Sequence, residues 1–314
     1  MAHPYQAVLL IAFGGPSSPT EIRPFLARVT KGISIPPERL DEVALHYEAV
    51  GGKSPLNEIT FRQADALRKY LESANIKIPV YVGMRNSAPF FSETLRRMAN
   101  DGVRRALGFI LSSHRTEASW ERYQTNITDA QAELGTHAPA FDFCESWHDH
   151  PLFIQTWSEL IDAKFANVPD NRRSATPMIF TAHSLPITMA APSPYVEQLE
   201  TTARLIAERL DHRRWSLAYQ SRSGRPSDPW LEPDVGEALR KAANEGWKEV
   251  VVAPIGFVCD HVEILYDLDI EAKTITEDLG LSFYRAGCPN DHPTFIRMMA
   301  NVIEQELEKT KDRG

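Results

Sequence analysis

Three carboxylates, Glu263, Asp267 and Glu271, recur every four residues in the segment that starts at Asp260. On a helix this spacing stacks them in one row. Like charges at that spacing oppose each other by about 0.2–0.5 kcal/mol per pair when exposed, and by more when desolvated. A face under no other demand interleaves lysine or arginine, so the row predicts a visiting cation, either a metal ion or moving protons. Part of it has a plainer explanation. Asp260 as N-cap with Glu263 three residues on would form a capping box. That leaves Asp267 and Glu271 unexplained. Ile264, Leu265 and Leu268 supply the apolar side, and a solvated face, the remaining alternative, usually mixes signs.

A second candidate is His183, delivered by the predicted strand Met178–Ala182 and followed by Ser184-Leu-Pro186. A histidine at the carboxyl end of a strand suits general base work or metal ligation. The alternative is an imidazole satisfied by backbone in a turn. Phe13-Gly-Gly-Pro16 lacks a full phosphate-binding glycine motif and reads as a tight turn that brings backbone close to a ligand. His148 and His150 flank Asp149, but two such ligands without a third are more often surface residues. The polar, proline-rich stretch Tyr219–Asp234 reads as a long ordered loop, a common place for function.

Short apolar runs alternate with amphipathic stretches in a way that positions these groups. Strands are predicted at Ala7–Phe13, Val80–Gly83, Ala106–Leu111, Ala140–Phe143, Met178–Ala182, Ser216–Tyr219 and Glu249–Pro254. Helices are predicted at Ile59–Ala74, Phe91–Asp101, Ser119–Leu134, Pro151–Phe165, Tyr195–Leu210, Val235–Glu245 and Thr294–Lys309. This alternation specifies an α/β fold with parallel sheets flanked by helices. Leu95–Gly102 also echoes Leu239–Gly246, which favours a duplicated α/β unit, although shared helix-stop chemistry would give the same echo. Two domains are expected, residues 1–150 and 151–314, with the terminal helix packing back on the first.

A net charge of −8 without a basic face argues against nucleic-acid binding. No apolar run is long enough to span a bilayer, and no charged leader precedes Ala7, so a cytoplasmic protein is expected. The three cysteines, Cys144, Cys259 and Cys288, are widely spaced, which disfavours a disulfide framework or a cysteine-rich metal centre.

Several stretches, in order along nearly the whole chain, resemble the ferrochelatases, which insert ferrous iron into a porphyrin. They are Leu9–Pro16, Gly51–Leu56, Tyr81–Arg85, Thr181–Pro186, Tyr219–Ser221 with Pro229–Leu231, and Gly256–Asp267. The resemblance implies two Rossmann-like chelatase domains with the porphyrin in a cleft between them. By motif it makes His183 and Glu263 the catalytic and metal-contacting pair, and Asp267 and Glu271 a path for protons or metal. Phe13, Thr30, His46, Ser54 and Tyr123 fall at porphyrin-binding positions. The wording around Phe13, Pro24-Phe-Leu26 and Ile35–Leu40 is similar to the actinobacterial branch, which implies coproporphyrin III as substrate and coproheme as product for a separate decarboxylase. Protoporphyrin IX as substrate, or a non-catalytic tetrapyrrole carrier on the same scaffold, are the alternatives. A sirohydrochlorin-type chelatase is disfavoured by the loop wording.

Departures from the family pattern carry information of their own. Ser119-Trp120 stands where a cluster-binding cysteine is common in relatives, so Fe²⁺ is expected as substrate only, with no iron–sulfur cluster and no permanent cofactor. Phe13 replaces a tyrosine that faces the metal and cannot ligate. Thr30 and His46 replace propionate-gripping arginines, Ser54 and Tyr123 are retained, and Asn86 stands where some relatives carry a second histidine.

Overall fold

The computed structural model describes residues 4–32, 35–223 and 228–309. Two compact units are formed, one from residues 1–111, 118–146 and 291–314 and the other from residues 112–117 and 147–290. Each is built on a four-stranded, all-parallel sheet.

In the first unit the strands are β1 (Ala7–Ala12), β2 (Val80–Met84), β3 (Arg105–Ile110) and β4 (Ala140–Phe143), in the order β2-β1-β3-β4. Every residue of β1 is buried. Its unbroken apolar run is what a central parallel strand covered on both faces requires. Its helices are α1 (Ile22–Val29), α2 (Pro37–Ala49), α3 (Leu56–Ser73), α4 (Phe91–Asn100) and α5 (Arg122–Leu134). Leu95 and Met98 of α4 and Ile127 and Ala130 of α5 join Leu9 and Ile11 in one apolar cluster.

The second unit has α6 (Pro151–Phe165), β5 (Met178–His183), α7 (Ile187–Ala190), α8 (Tyr195–Arg209), β6 (Trp215–Gln220), α9 (Val235–Asn244), β7 (Glu249–Ala253), α10 (Val262–Leu265), α11 (Lys273–Asp278) and β8 (Ser282–Arg285). Its strand order is β6-β5-β7-β8, the first unit's order repeated. α12 (Pro293–Lys309) returns to the first unit and packs on α3.

The echoed octapeptides end α4 and α9 in the same way. Gly102 and Gly246 take φ of 83° and 89°. In the first copy, Gly102 N–H donates to Ala99 O at 3.1 Å and Val103 N–H to Met98 O at 3.0 Å, the Schellman pattern. In the second, Gly246 N–H donates to Ala243 O at 2.9 Å and Trp247 N–H to Ala242 O at 3.2 Å. The helix stop therefore explains the octapeptide by itself, while the matching strand orders support duplication independently.

Elements the periodicity did not predict are α1, α2, α7, α11 and β8. Pro24 interrupts the pattern of α1, and β8 is a short, half-exposed edge strand with no apolar run. The stretch expected as one helix from Ser119 opens instead with a π-helical turn, Glu117–Glu121, before α5.

After β7 the chain turns at Ile255-Gly256 and crosses directly against β5. Gly256 N–H donates to Thr181 O at 3.1 Å. A Cβ on Gly256 would lie 2.6 Å from Ala182 Cβ and 2.7 Å from its Cα, closer than carbon atoms tolerate. Gly256→Ala is expected to cost about 1–3 kcal/mol of stability through overpacking. Ala at Gly102 meets nothing within 4 Å and carries only the left-handed conformational cost, about 1–2 kcal/mol. Urea unfolding of both variants measures the two costs. At Gly256 the loss of stability should come with loss of the site described next, because the β5 and β7 ends are pushed apart.

Candidate active site

His183 is the last residue of β5, Gln220 the last of β6, and the chain leaving β7 runs into α10. Three adjacent strands thus bring their carboxyl ends together, the place where parallel sheets build sites. Gln220 is 1% exposed and ties all three. Its side-chain carbonyl accepts from Thr181 Oγ1 at 2.8 Å, its side-chain NH₂ donates to Glu263 O at 2.7 Å, and its backbone carbonyl accepts Ser184 N–H at 2.7 Å.

The His183 Nδ1 faces Ser184 O. A carbonyl only accepts, so Nδ1 carries the proton, and in neutral His183 the basic nitrogen is Nε2. Nε2 lies 3.8 Å from Glu263 Oε2, with the two side chains 32% and 35% exposed, so a ligand can reach both. On the other side of Glu263, His261 Nε2 lies 3.5 Å from the same oxygen. His261 Nδ1–H donates to Cys259 O at 3.1 Å. Protonation of Nε2 as well lets His261 meet the carboxylate favourably. Burial pushes its pKa down, but Glu263 outweighs this and raises it. Burial likewise pushes Glu263 up, and His183 and His261 reverse the effect and hold its carboxyl down. Glu263 is therefore an ionised carboxylate between two imidazoles.

The acidic row does not lie on one α-helix. α10 ends at Leu265, and Asp267–Ala272 form a π-helical turn, with Ile270 N–H and Glu271 N–H both donating to Tyr266 O, at 3.1 and 3.0 Å. The capping box is not formed. His261 is the N-cap without a side-chain cap bond, and the Asp260 carboxylate goes to Arg285 and Asn290. Asp267 accepts from the hydroxyl of Ser221, which sits in the left-handed region with φ of 62°. Burial pushes the Asp267 carboxyl up to about 7 against the pull of Ser221, with repulsion from Glu263 and Glu271 adding to the rise. Glu271 stands exposed at the outer end. The four-residue spacing found the row, but His261, Ser221, Gln220 and Tyr195, whose OH donates to His183 O at 3.0 Å, carried no periodic signal.

The residues matched to porphyrin binding all belong to the first unit. The Phe13 ring is 39% exposed and packs edge-on to Phe25, ring centroids 6.2 Å apart, and Phe25 in turn to Tyr47. Asn86 donates twice to Phe13 O, from its backbone at 2.9 Å and its side chain at 3.2 Å. The turn after Phe13 is as tight as expected. Gly14 has φ of 79°, a Cβ there would sit 2.3 Å from Ser87 Oγ, and buried Asn57 bonds both N–H and C=O of Gly15. Thr30 caps α1, its hydroxyl donating to Leu26 O at 2.8 Å. His46 lies on α2, and burial lowers its pKa. Ser54 is buried, its N–H donating to Pro16 O, and Tyr123 is buried in the apolar cluster with its pKa raised by desolvation.

His150 is the N-cap of α6, its Nδ1 accepting Leu152 N–H at 3.2 Å. Among the described residues no group of three or more histidine, cysteine or acidic side chains is arranged as a metal cage. Cys144, Cys259 and Cys288 are buried free thiols. Of the expected Tyr219–Asp234 loop, residues 224–227 lie outside the described residues. Its ends are ordered by Leu231 N–H to Leu185 O and Ser184 Oγ to Leu231 O, both 2.9 Å.

The architecture matches SirB from Bacillus subtilis with Fe³⁺, at a TM-score of 0.60 over 98% of both chains and 9% identity, a likeness of fold. Sequence likeness is far closer elsewhere. The chain is 41% identical over 312 residues to the coproporphyrin III ferrochelatase of Mycobacterium leprae, covering 98% of this chain and 90% of that protein. It is 38% identical over 311 residues to a ferrochelatase of Rhodopirellula baltica, covering 99% and 88%. The ferrochelatase family model matches residues 5–307. With the His183–Glu263 pair at the strand ends and this match over almost its whole length, the chain belongs to the ferrochelatase family.

Proposed function

We propose that this protein inserts Fe²⁺ into coproporphyrin III to give coproheme, on the way to haem b, and that a separate decarboxylase takes the product. The names of the mycobacterial relatives support this substrate. One observation carries the chemistry: His183 Nε2, its ring held through Nδ1 by Ser184 O, lies 3.8 Å from the ionised Glu263 carboxylate.

Metallation removes two pyrrole N–H protons, strips water from Fe²⁺ and forms the metal–nitrogen bonds. His183 Nε2 accepts a pyrrole proton or contacts the arriving ion, and Glu263 shares both duties. Asp267, with its carboxyl raised to about 7, can both take and release a proton near neutral pH, as a relay requires. Glu271 opens the row outward. Imidazole and carboxylate suit Fe²⁺ but also Zn²⁺, so other divalent ions are expected to be inserted. Phe13, Thr30, His46, Ser54 and Tyr123 are assigned to the porphyrin, Phe13 being the one with an exposed ring. The chain has three cysteines where a four-cysteine cluster needs four, which supports a cluster-free enzyme. No helix among the described residues is long and apolar enough to cross a membrane, in keeping with a cytoplasmic site of action.

His183→Ala is expected to lower turnover by about 10²–10⁴-fold, measured anaerobically by the change in porphyrin absorbance. Near-normal turnover at saturating iron would remove the residue from its role. Run side by side, coproporphyrin III should outcompete protoporphyrin IX in kcat/KM. The reverse order would favour the protohaem reading, and spectral binding without metallation would favour a carrier.

Asp267 also predicts a pH dependence of stability. Its folded pKa is raised, so between about 4 and 7 the unfolded chain gives up this proton while the folded one keeps it. Its contribution to stability therefore falls as pH rises through that window and is constant above it. Asp267→Asn should become more stable relative to wild type from pH 4 to pH 7, in chemical denaturation at fixed ionic strength. A difference that does not change with pH would place the carboxyl in the ordinary range.

A further inference from the structure

Between Glu263 and Glu271 stands a fourth acid that the row does not use. Asp269 lies midway between Asp267 and Glu271 and turns to the opposite side of the π-helical turn, where Arg285 meets it. Arg285 Nε and Nη2 bind the two Asp269 oxygens at 2.6 Å each, a bidentate fork. The same guanidinium donates through Nη1 to Asp260 Oδ1 at 2.8 Å. Asp260 is held in turn by Asn290, whose Nδ2–H donates to Oδ2 at 2.6 Å and whose Oδ1 accepts Asp260 N–H at 2.8 Å. The Arg285, Asp260 and Asp269 side chains are 15%, 18% and 34% exposed.

This geometry has a definite mechanical sense. Asp260 precedes α10 and Asp269 lies inside the π-helical turn, so one cation grips the segment on both sides of Glu263 and Asp267. Arg285 ends β8, which pairs with β7 through Val252↔Arg285, and the grip therefore refers the row to the rigid sheet. The segment needs such a reference. It changes helical geometry at Tyr266 and brings three acids close enough to oppose each other's ionisation, so its own backbone favours neither one register nor a compact acidic face.

We propose that Arg285 is a positioning residue of the metal-insertion site, fixing the spacing of Glu263 and Asp267 by clamping Asp260 and Asp269. The proposal rests on the ferrochelatase reading. It does not place Arg285 in contact with substrate.

Two variants test it in the full-length protein. Arg285→Lys keeps the charge but cannot grip two carboxylates as a planar fork. Asp269→Asn releases the π-helical turn while Asp260 keeps Arg285 paired, so it decides the matter if the lysine variant does not fold. Arg172→Lys, in the distant Arg172–Glu249 pair, controls for general loosening. Initial rates of Fe²⁺ and Zn²⁺ insertion into coproporphyrin III are measured well below each variant's unfolding temperature. The expected result is a metal KM raised by roughly tenfold in both clamp variants, the usual scale for outer-shell partners, with the porphyrin KM and the Arg172→Lys kinetics within about twofold of wild type. Clamp variants with a lowered Tm but wild-type metal KM and kcat would show a purely structural ion pair and overturn the proposal. A wild-type chain that binds coproporphyrin III but inserts neither metal would overturn the ferrochelatase reading beneath it, which is a different result from active variants with unchanged kinetics.

Discussion

Gln220 spends both ends of its side-chain amide and its backbone carbonyl on three different segments, and the relation of His183 to Glu263 follows from those bonds. Thr181 fixes the amide from β5, Ser184 draws the chain after His183 toward β6, and the amide nitrogen holds the Glu263 carbonyl. A buried amide in such a position is costly unless every polar atom is met. Here each bond that satisfies it also places a segment of the candidate site. The 3.8 Å gap to Glu263 and the entry angle of α10 both depend on a residue that is itself buried.

Around that anchor, one stretch of twelve residues holds carboxylates in three different settings. Glu263 is ionised between two imidazoles, Asp267 is poised near neutrality, and Asp269 is neutralised by Arg285. Environments that push similar groups apart in pKa are how one site assigns different tasks to the same chemistry. Asp267 owes its position on that scale chiefly to burial, so its proton affinity follows how closely the π-helical turn packs.

Much of this was legible in the residues. Seven of the eight strands among the described residues announced themselves as apolar runs, and the four-residue period exposed Glu263, Asp267 and Glu271. Periodicity describes one face of one element, and there it stopped. It could not see that Tyr266 changes the helix type, nor that Asp260 prefers Arg285, 25 residues away, to a local cap. Ser221 belongs to the site through its bond to Asp267, made only once the chain ends leaving β6 and β7 come together, and His261 through contacts to its near neighbours Cys259 and Glu263. β8 escaped notice because a four-residue edge strand, with one residue exposed and three half-buried, offers no run to read, yet it carries the Arg285 guanidinium.

The return of α12 to α3 has a meaning in time as well as in space. The first unit takes its sheet from the early part of the chain but is closed by residues 293–309, whereas the core of the second unit, residues 147–290, is continuous. On the ribosome, the part made first is thus the part completed last. Until α12 emerges, the apolar face of α3 that it covers must wait bare, while the unit carrying His183 and Glu263 already has all of its strands. Vectorial synthesis therefore exposes the first unit, rather than the one carrying His183 and Glu263, to the longest interval of incomplete folding.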